Sequence, residues 1–539
     1  MHGTIPNLSL PELLRRTASE FSSHPAIIGS GGLGSGGLAS DGLTSGGSQD
    51  FATVNRQSDA IAARLVSQGV RKGDRVGLYG MNSDTFAVAY CGILKAGAVV
   101  VPISILLNPK EIAYMLNDSG ARALFHADKF AEAVEYLRRA VPGLSLRISM
   151  GDSRPADDTI RWSDLLSGGG PSPTVDFTPA EDLAAILYTS GTTGHPKGAM
   201  LTHRNLVANT FSIREALQLE PGKDILLVVL PMFHSFAATV GMLFPLLHGC
   251  TFVPMPRFEP EAVTRAIEAT RSTIFLGVPS MYTTFLRLPD EHVPRLASLR
   301  FCVSGGAALP VEVLERFETR FGKLIYEGDG PTECSPVTCV NPVGGKRKKG
   351  SVGLPIPNVE MKILDDEARE LPRGKVGEIC VRGPNVMKGY WNRPEETRAS
   401  FFGDWFRTGD LGYEDDEDYF FIVDRKKDMI IVNGMNVYPR VVEEILYQFP
   451  PVREAAVVGE PHKLHGEIPV AYVTLKDGCD ATAEQVRAFC LENLGRHEVP
   501  RKVFFLPELP KTASGKILKR ELRKHGEIER GVDSREECQ

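Results

Sequence analysis

Paired cysteines are missing from this chain of 539 residues. Its nine cysteines are scattered, odd in number and never spaced C-x-x-C, so neither a zinc site nor a disulfide framework is indicated and a reducing compartment fits best. A basic excess is missing as well. The formal net charge of -6 argues against a general nucleic-acid binder, so an anionic ligand would need local basic sites. Long hydrophobic runs are absent: the longest, Ala98 to Leu107, carries a proline and falls well short of the roughly 20 residues that span a bilayer. Between Met1 and Pro25, Pro6, Pro11, Arg15 and Arg16 break any secretory segment, and the closing Glu-Glu-Cys-Gln matches no targeting or prenylation signal. A cytoplasmic protein is expected.

What is present is ordinary globular material, 42% hydrophobic and 24% charged, in a chain too long for one core. The low-complexity segment from Gly29 to Ser48, with recurring Ser-Gly-Gly, cannot bury enough apolar surface to offset backbone ordering, so it reads as a flexible surface loop. Elsewhere strand-like and helix-like segments alternate: RVGLYG, a helix around Thr85 to Lys95, then AVVVPI. Thr273 to Val278 and Leu299 to Val303 repeat the pattern, the latter running through Ser304-Gly305-Gly306 into an amphipathic helix from Pro310 to Phe321. The fold class is therefore α/β. After a charged stretch at Asp424 to Asp428, a shorter α+β tail is expected, with helices near Val441 to Tyr447 and Ala483 to Leu494 and strands at Ala455 to Val458 and Val470 to Leu475.

The run Tyr188 to His203, YTSGTTGHPKGAMLTH, concentrates phosphate-binding chemistry. Ser190, Thr192 and Thr193 can donate to phosphate oxygens, Gly191, Gly194 and Gly198 let backbone amides come close, and Lys197 adds a mobile positive charge. LAAILY before it suits a buried strand, and Thr202 is a plausible N-cap for a helix beginning near His203, giving an expected strand, loop and helix. It is not a Walker A loop, because Lys197 stands between Pro196 and Gly198. A Ser/Gly/Thr surface loop is the plainer alternative.

Five further segments follow in order: PMFHSF from Pro231, EGDGPTE from Glu327, WFRTGDLG from Trp405, DRKKDMIIVNGMNVYP from Asp424, and PKTASGKILKREL from Pro510. Together with the loop they resemble the adenylate-forming superfamily of acyl-CoA synthetases, peptide-synthetase adenylation domains and beetle luciferases. The resemblance implies a large N-terminal domain of layered α/β subdomains, residues 1–424, and a small mobile α+β domain, 425–539, turning about a hinge near Lys427. It further implies attack of a carboxylate on the α-phosphate of ATP, then transfer of the acyl group to a thiol.

Residue by residue, the resemblance assigns Ser190, Thr192, Thr193 and Lys197 to the β- and γ-phosphates and Glu333, with Thr332 before it and Thr189 nearby, to Mg2+. Asp410 would hold the ribose hydroxyls and Arg425 the ribose and phosphate. Lys516 would meet the attacking carboxylate and the α-phosphate. His234 matches an aromatic gate, and Gly434 would line the pantetheine path of coenzyme A after the small domain turns. Thr189, Gly191, Gly194, Gly305, Glu327, Gly328, Asp329 and Lys427 complete the expected cofactor-binding set, and Lys516, Glu333, Thr189 and His234 the catalytic one. Taken singly, Glu333 reads as a surface charge, Asp410 as a helix cap, Lys516 as solvated and His234 as core. One departure stands out: Asp329 replaces the tyrosine that packs on adenine in the family, which predicts weakened ATP binding.

No carrier domain follows Lys516, which favours a stand-alone ligase. Phe236, Ala237, Ala238, Val240 and Gly241, with Gly305 and Gly306, suggest an apolar acyl pocket with room for length. The wording SGGAALPVEVLERFE is most similar to bacterial fatty-acid CoA ligases, with aryl acids, a degenerate nucleotide-binding protein, and transfer to a carrier protein or to oxygen as alternatives. The expected ligands are ATP, Mg2+, coenzyme A and a fatty acid. Oligomeric state is open, a homodimer included. The basic run Lys346-Arg347-Lys348-Lys349 reads as a solvated loop, or else as a site for the 3'-phosphate of coenzyme A or an acidic membrane surface.

Overall fold

The computed structural model describes residues 4–29, 47–151, 158–167, 172–189, 196–462, 464–512 and 515–524. Most of the expected Gly/Ser loop, and Ser190, Gly191, Thr192, Thr193 and Gly194 of the phosphate loop, lie outside these. Ser48, counted in that loop, opens a strand, Ser48–Asp50.

Among the described residues, two large sheets carry the body. In the nine-stranded sheet, Thr251–Pro254, Ile225–Val228, Ile274–Gly277, Phe301–Ser304 and Ile325–Asp329 lie side by side and parallel. Their residues are almost wholly buried, as parallel strands covered by helices on both faces must be. The eight-stranded sheet holds Val99–Pro102, Arg75–Tyr79 and Ala121–His126 in parallel and continues into an antiparallel pair, Leu183–Thr189 with Lys197–Thr202, edged by the short strand Gly389–Tyr390. A five-stranded antiparallel sheet follows, containing Gly377–Arg382, Trp405–Glu414 and Phe420–Arg425. One apolar core is continuous between the two large sheets.

The helices follow their sequence signals. Ser83 accepts from the Phe86 amide to start Asp84–Lys95. Val311–Phe321 buries Val313, Leu314, Phe317 and Phe321 on one face, then stops at Gly322, whose φ of +62° suits glycine. Phe317 is fully buried, with its ring 5.1 Å from that of Tyr282 and 4.7 Å from that of Phe321.

The C-terminal lobe has its own five-stranded sheet, built on the long Val452–His462 and Gly466–Leu475 pair, and its own core of residues such as Val442, Leu446, Val457, Val473 and Val486. Helices Pro439–Gln448 and Ala483–Asn493 stand where the periodicity places them. Asp424 and Arg425, at the start of the charged stretch, close the strand Phe420–Arg425, where cross-strand pairing with Leu411 and Asp410 orders them. The lobe is seated on the body. Ser280 Oγ donates to the Gly515 carbonyl at 3.2 Å, and Arg287 pairs with Asp477 at 2.6 Å.

Candidate active site

The phosphate-loop segment is organised differently from expectation. Thr202 does cap the helix His203–Ala216, its hydroxyl accepting from the Asn205 amide, but a strand, Lys197–Thr202, intervenes between loop and helix. Strand pairing sets Thr189 opposite Lys197 and Tyr188 opposite Gly198, so both ends of the loop are anchored in the sheet. Gly198 is needed in that strand, since a Cβ there would lie 2.6 Å from Ile186 Cγ2. The interruption by glycine explains why KGAMLT reads poorly as a strand.

Across from this hairpin stands Glu333, in a short turn Thr332–Cys334. The Thr189 hydroxyl donates to Glu333 Oε1 at 3.3 Å, and the Tyr390 hydroxyl donates to the same oxygen at 2.9 Å. Lys197 Nζ lies 5.5 Å from the centre of the Tyr390 ring. The carboxylate, two hydroxyls and an ammonium therefore converge, although 144 residues separate Thr189 from Glu333. No cluster of three or more metal-ligating side chains occurs among the described residues. A single carboxylate with hydroxyl neighbours suits Mg2+, which keeps waters and substrate phosphates as its other ligands. Tyr390 is absent from the sequence-predicted set, and its signal was the Gly-Tyr-Trp run after Lys388.

A second cluster sits where the small lobe meets the body. Asp410 is buried, and Arg425 Nε stands 3.3 Å from its Oδ1 across the strand pair. Burial raises the Asp410 carboxyl well above its ordinary range, opposed by Arg425 and reinforced by the charge of Asp329. Asp329 is raised likewise by burial, opposed by Arg425 and Lys516. The acid in the tyrosine position thus stands near two cations, Arg425 and Lys516. Burial lowers the Lys516 ammonium, with Arg425 adding to the effect. Lys516 reaches over Gly306: a Cβ built there would lie 3.1 Å from Lys516 Cε, and a φ of +80° also selects glycine. Gly515, at φ +79°, passes so close to Ser280 that a Cβ would lie 2.7 Å from its hydroxyl.

His234 begins the apolar side. The Phe236 amide donates to its Nδ1 at 3.3 Å, and burial, with Lys516 nearby, holds its pKa down to about 3, so the ring is neutral. Gly305 leaves space for Phe236, whose ring would lie 3.3 Å from an added Cβ. Ala237, Ala238, Val240 and Gly241 follow on a wide π-type helix, Ala237–Leu243. The expected room at Gly241 is not there, because Val228 Cγ1 occupies the place, 2.8 Å from where a Cβ would stand. That glycine serves close packing of helix on sheet.

Thr332 is tied to Ser235 through their hydroxyls, 3.1 Å apart, and Glu327 and Gly328 lie on the strand that ends at Asp329. Lys427 and Gly434 are exposed in turns, and Gly434 faces open space. The basic run also departs from expectation. Lys346 pairs with Glu417 and Arg347 with Glu318, each at 2.6 Å, Lys348 pairs with Asp415, and Lys349 pairs with Glu315 at 2.6 Å. Arg347 and Lys348 are thus half-buried in their ion pairs rather than freely solvated, while Lys346 and Lys349 stay exposed.

A two-lobed α/β protein with a hairpin phosphate loop, an isolated carboxylate and a lysine delivered from the small lobe has the layout of an adenylating enzyme. Residues 14–391 match the AMP-binding enzyme family, and 441–516 match the AMP-binding enzyme C-terminal domain. The chain belongs to this family of adenylate-forming enzymes, among its acid–thiol ligases, which work with ATP, Mg2+ and coenzyme A. It is 36% identical to a long-chain-fatty-acid–CoA ligase of Bacillus subtilis over 550 residues, covering 96% of this chain and 94% of that protein. It is 38% identical to a feruloyl-CoA synthase of Amycolatopsis sp. over 475 residues, 88% and 93% of the two chains. Among solved structures, ATP-bound MatB from Rhodopseudomonas palustris superposes with a TM-score of 0.86 at 30% identity, covering 96% of this chain and 99% of that one. Among the described residues no helix is long and apolar enough to cross a membrane.

Proposed function

We propose that this ligase activates a fatty acid. A carboxylate oxygen of the acid attacks the α-phosphorus of ATP, the new O–P bond forms as the bond to the β-phosphate oxygen breaks, and pyrophosphate leaves with that electron pair. The sulfur of coenzyme A then attacks the acyl carbon, AMP departs, and the thiol proton is released. The observation that carries this reading is the seating of Lys516 over Gly306, beside Asp410 and Arg425, with Lys197 on the hairpin and Glu333 in the turn facing it.

In this reading Lys197 and the loop before it hold the outer phosphates. Glu333, with Thr189 beside it, would hold Mg2+, which supplies charge neutralisation on the phosphate oxygens. Asp410 and Arg425 hold the ribose, and Lys516 offsets the charge that builds as two anions meet. His234 is neutral and gates the route between acyl and thiol channels. The two steps share one site, so the small lobe, from about residue 425 onward, turns about Lys427 to exchange Lys516 for the Gly434 turn.

A fatty acid is supported by the apolar Phe236, Ala237 and Ala238 beside Gly305 and by the relative of Bacillus subtilis. An aryl acid is the second reading, favoured by the feruloyl-CoA synthase and by the filled space at Gly241. A pyrophosphate-release screen across alkyl acids of graded length and aryl acids, with and without coenzyme A, separates them. Lys516→Ala should abolish adenylate formation yet largely spare thiolysis of supplied acyl-AMP. Equal loss of both halves would sink the alternating-lobe reading.

A further inference from the structure

Besides Lys516, the Ser280–Gly515 bond and the pairs of Asp477 with Arg287 and Lys476 with Glu312, the small lobe meets the body through a face of the helix Pro439–Gln448. Arg440, in the first turn of Pro439–Gln448, makes three contacts with residues that precede the proposed hinge. Its backbone amide donates to Asp424 Oδ2 at 2.8 Å, its Nη1 donates to the Ile422 carbonyl at 2.6 Å, and its Nη2 stands 4.0 Å from Glu327 Oε1. One turn further on, Glu444 Oε2 accepts from the Val311 amide at 3.4 Å.

Both receiving sites on the body are incomplete without the lobe. Val311–Phe321 begins after Pro310, which makes no side-chain cap, so Glu444 supplies from another lobe the acceptor that a helix start ordinarily finds next to itself. A carboxylate also suits the positive end of the helix dipole. Glu327 is buried, its Oε1 accepts from the Leu309 amide at 3.0 Å, and its Oε2 has no hydrogen-bond partner. Burial pushes this carboxyl up to about 7, and Arg440 is the cation that opposes the rise. A buried acid of this kind gains from a guanidinium brought to it.

The two contacts bear on the chemistry through a short path. Leu309 closes the segment that starts at Gly305 and Gly306, where Lys516 rests, and Glu327 holds Leu309 while leading into Gly328 and Asp329. We infer that Arg440 and Glu444 are positioning residues for the first half-reaction: they dock the small lobe on Glu327 and on the first turn of Val311–Phe321, and so seat Lys516 over Gly306. Turning the lobe for thiol transfer parts both contacts. This inference rests on the two-step reading above.

The test separates the half-reactions in Arg440→Gln, Glu444→Ala and Arg440→Lys. With wild-type protein forming acyl-AMP from a competent acid, single-turnover adenylation should fall about 10-fold in Arg440→Gln and Glu444→Ala, the scale of one charge-assisted contact, with KM for ATP little changed. Arg440→Lys should recover part of the rate. Coenzyme A-dependent consumption of supplied acyl-AMP should stay within about 2-fold, since this step does not use the dock. Equal loss in both halves, or full adenylation in both variants, overturns the inference. A second readout needs no activity: hydrogen exchange at the Val311 amide should quicken in Glu444→Ala, and unchanged exchange overturns the capping contact. A wild-type protein that adenylates no acid counts against the two-step reading instead, and the exchange measurement still decides the dock.

Discussion

Replacing Glu327 by glutamine should stabilise the free enzyme, and only at high pH. The residue is 2% exposed, and its Oε2 is unpartnered. Burial is the main cause of its raised pKa, helped by Glu444 and Asp329 and opposed by Arg440 and the Leu309 amide. Because the folded-state value, about 7, lies above the ordinary 4.5, the folded protein holds this proton more tightly than the unfolded chain. The stability contributed by the neutral acid is therefore fully present below the ordinary value and is lost as pH rises through the folded one. The difference corresponds to about 3 kcal/mol against ionisation at pH near 8. Glutamine keeps an acceptor for the Leu309 amide and carries no charge at any pH. Thermal unfolding of both proteins should coincide at pH near 4 and separate by about 3–5 °C near pH 8, the variant melting higher. A variant that melts lower than wild type at the higher pH, or shows the same difference at both, would refute the assignment of a buried, weakly compensated acid.

Two further outcomes can be checked directly. Asp329→Tyr should lower the KM for ATP about 2- to 10-fold, the worth of an aromatic face on adenine, and an unchanged KM in steady-state assays would mean that Asp329 does not weaken nucleotide binding. Phe317→Ala, removing a ring packed against Tyr282 and Phe321, should cost about 3–5 kcal/mol in denaturant unfolding.

The elements legible in the sequence are those whose own periodicity carries the information. Asp84–Lys95, Val311–Phe321 and the paired strands Val452–His462 and Gly466–Leu475 each display an apolar face or run, together with a stop or start signal, within their own residues. Lys197–Thr202 does not, because glycine and a nearby proline mimic a loop, and its strand character comes from Leu183–Thr189 beside it. Thr189 and Glu333 were foreseeable as a pair only through the resemblance of their motifs. Tyr390, 57 residues beyond Glu333, and Glu444, 133 beyond Val311, contact their partners through tertiary folding that no local pattern encodes. Space at a glycine is likewise a tertiary property: Gly241 and Gly306 look alike in sequence, yet a valine fills one and the lysine rests on the other.

The strip Lys346 to Lys349 is matched cation for anion by the helix bearing Glu315 and Glu318 and by the turn bearing Asp415 and Glu417. Ion pairs at contact range weaken the pull of such a ribbon on an approaching polyanion, and only Lys346 and Lys349 keep exposed ammonium groups. The run stitches neighbouring segments together, and added electrolyte would slacken that stitch.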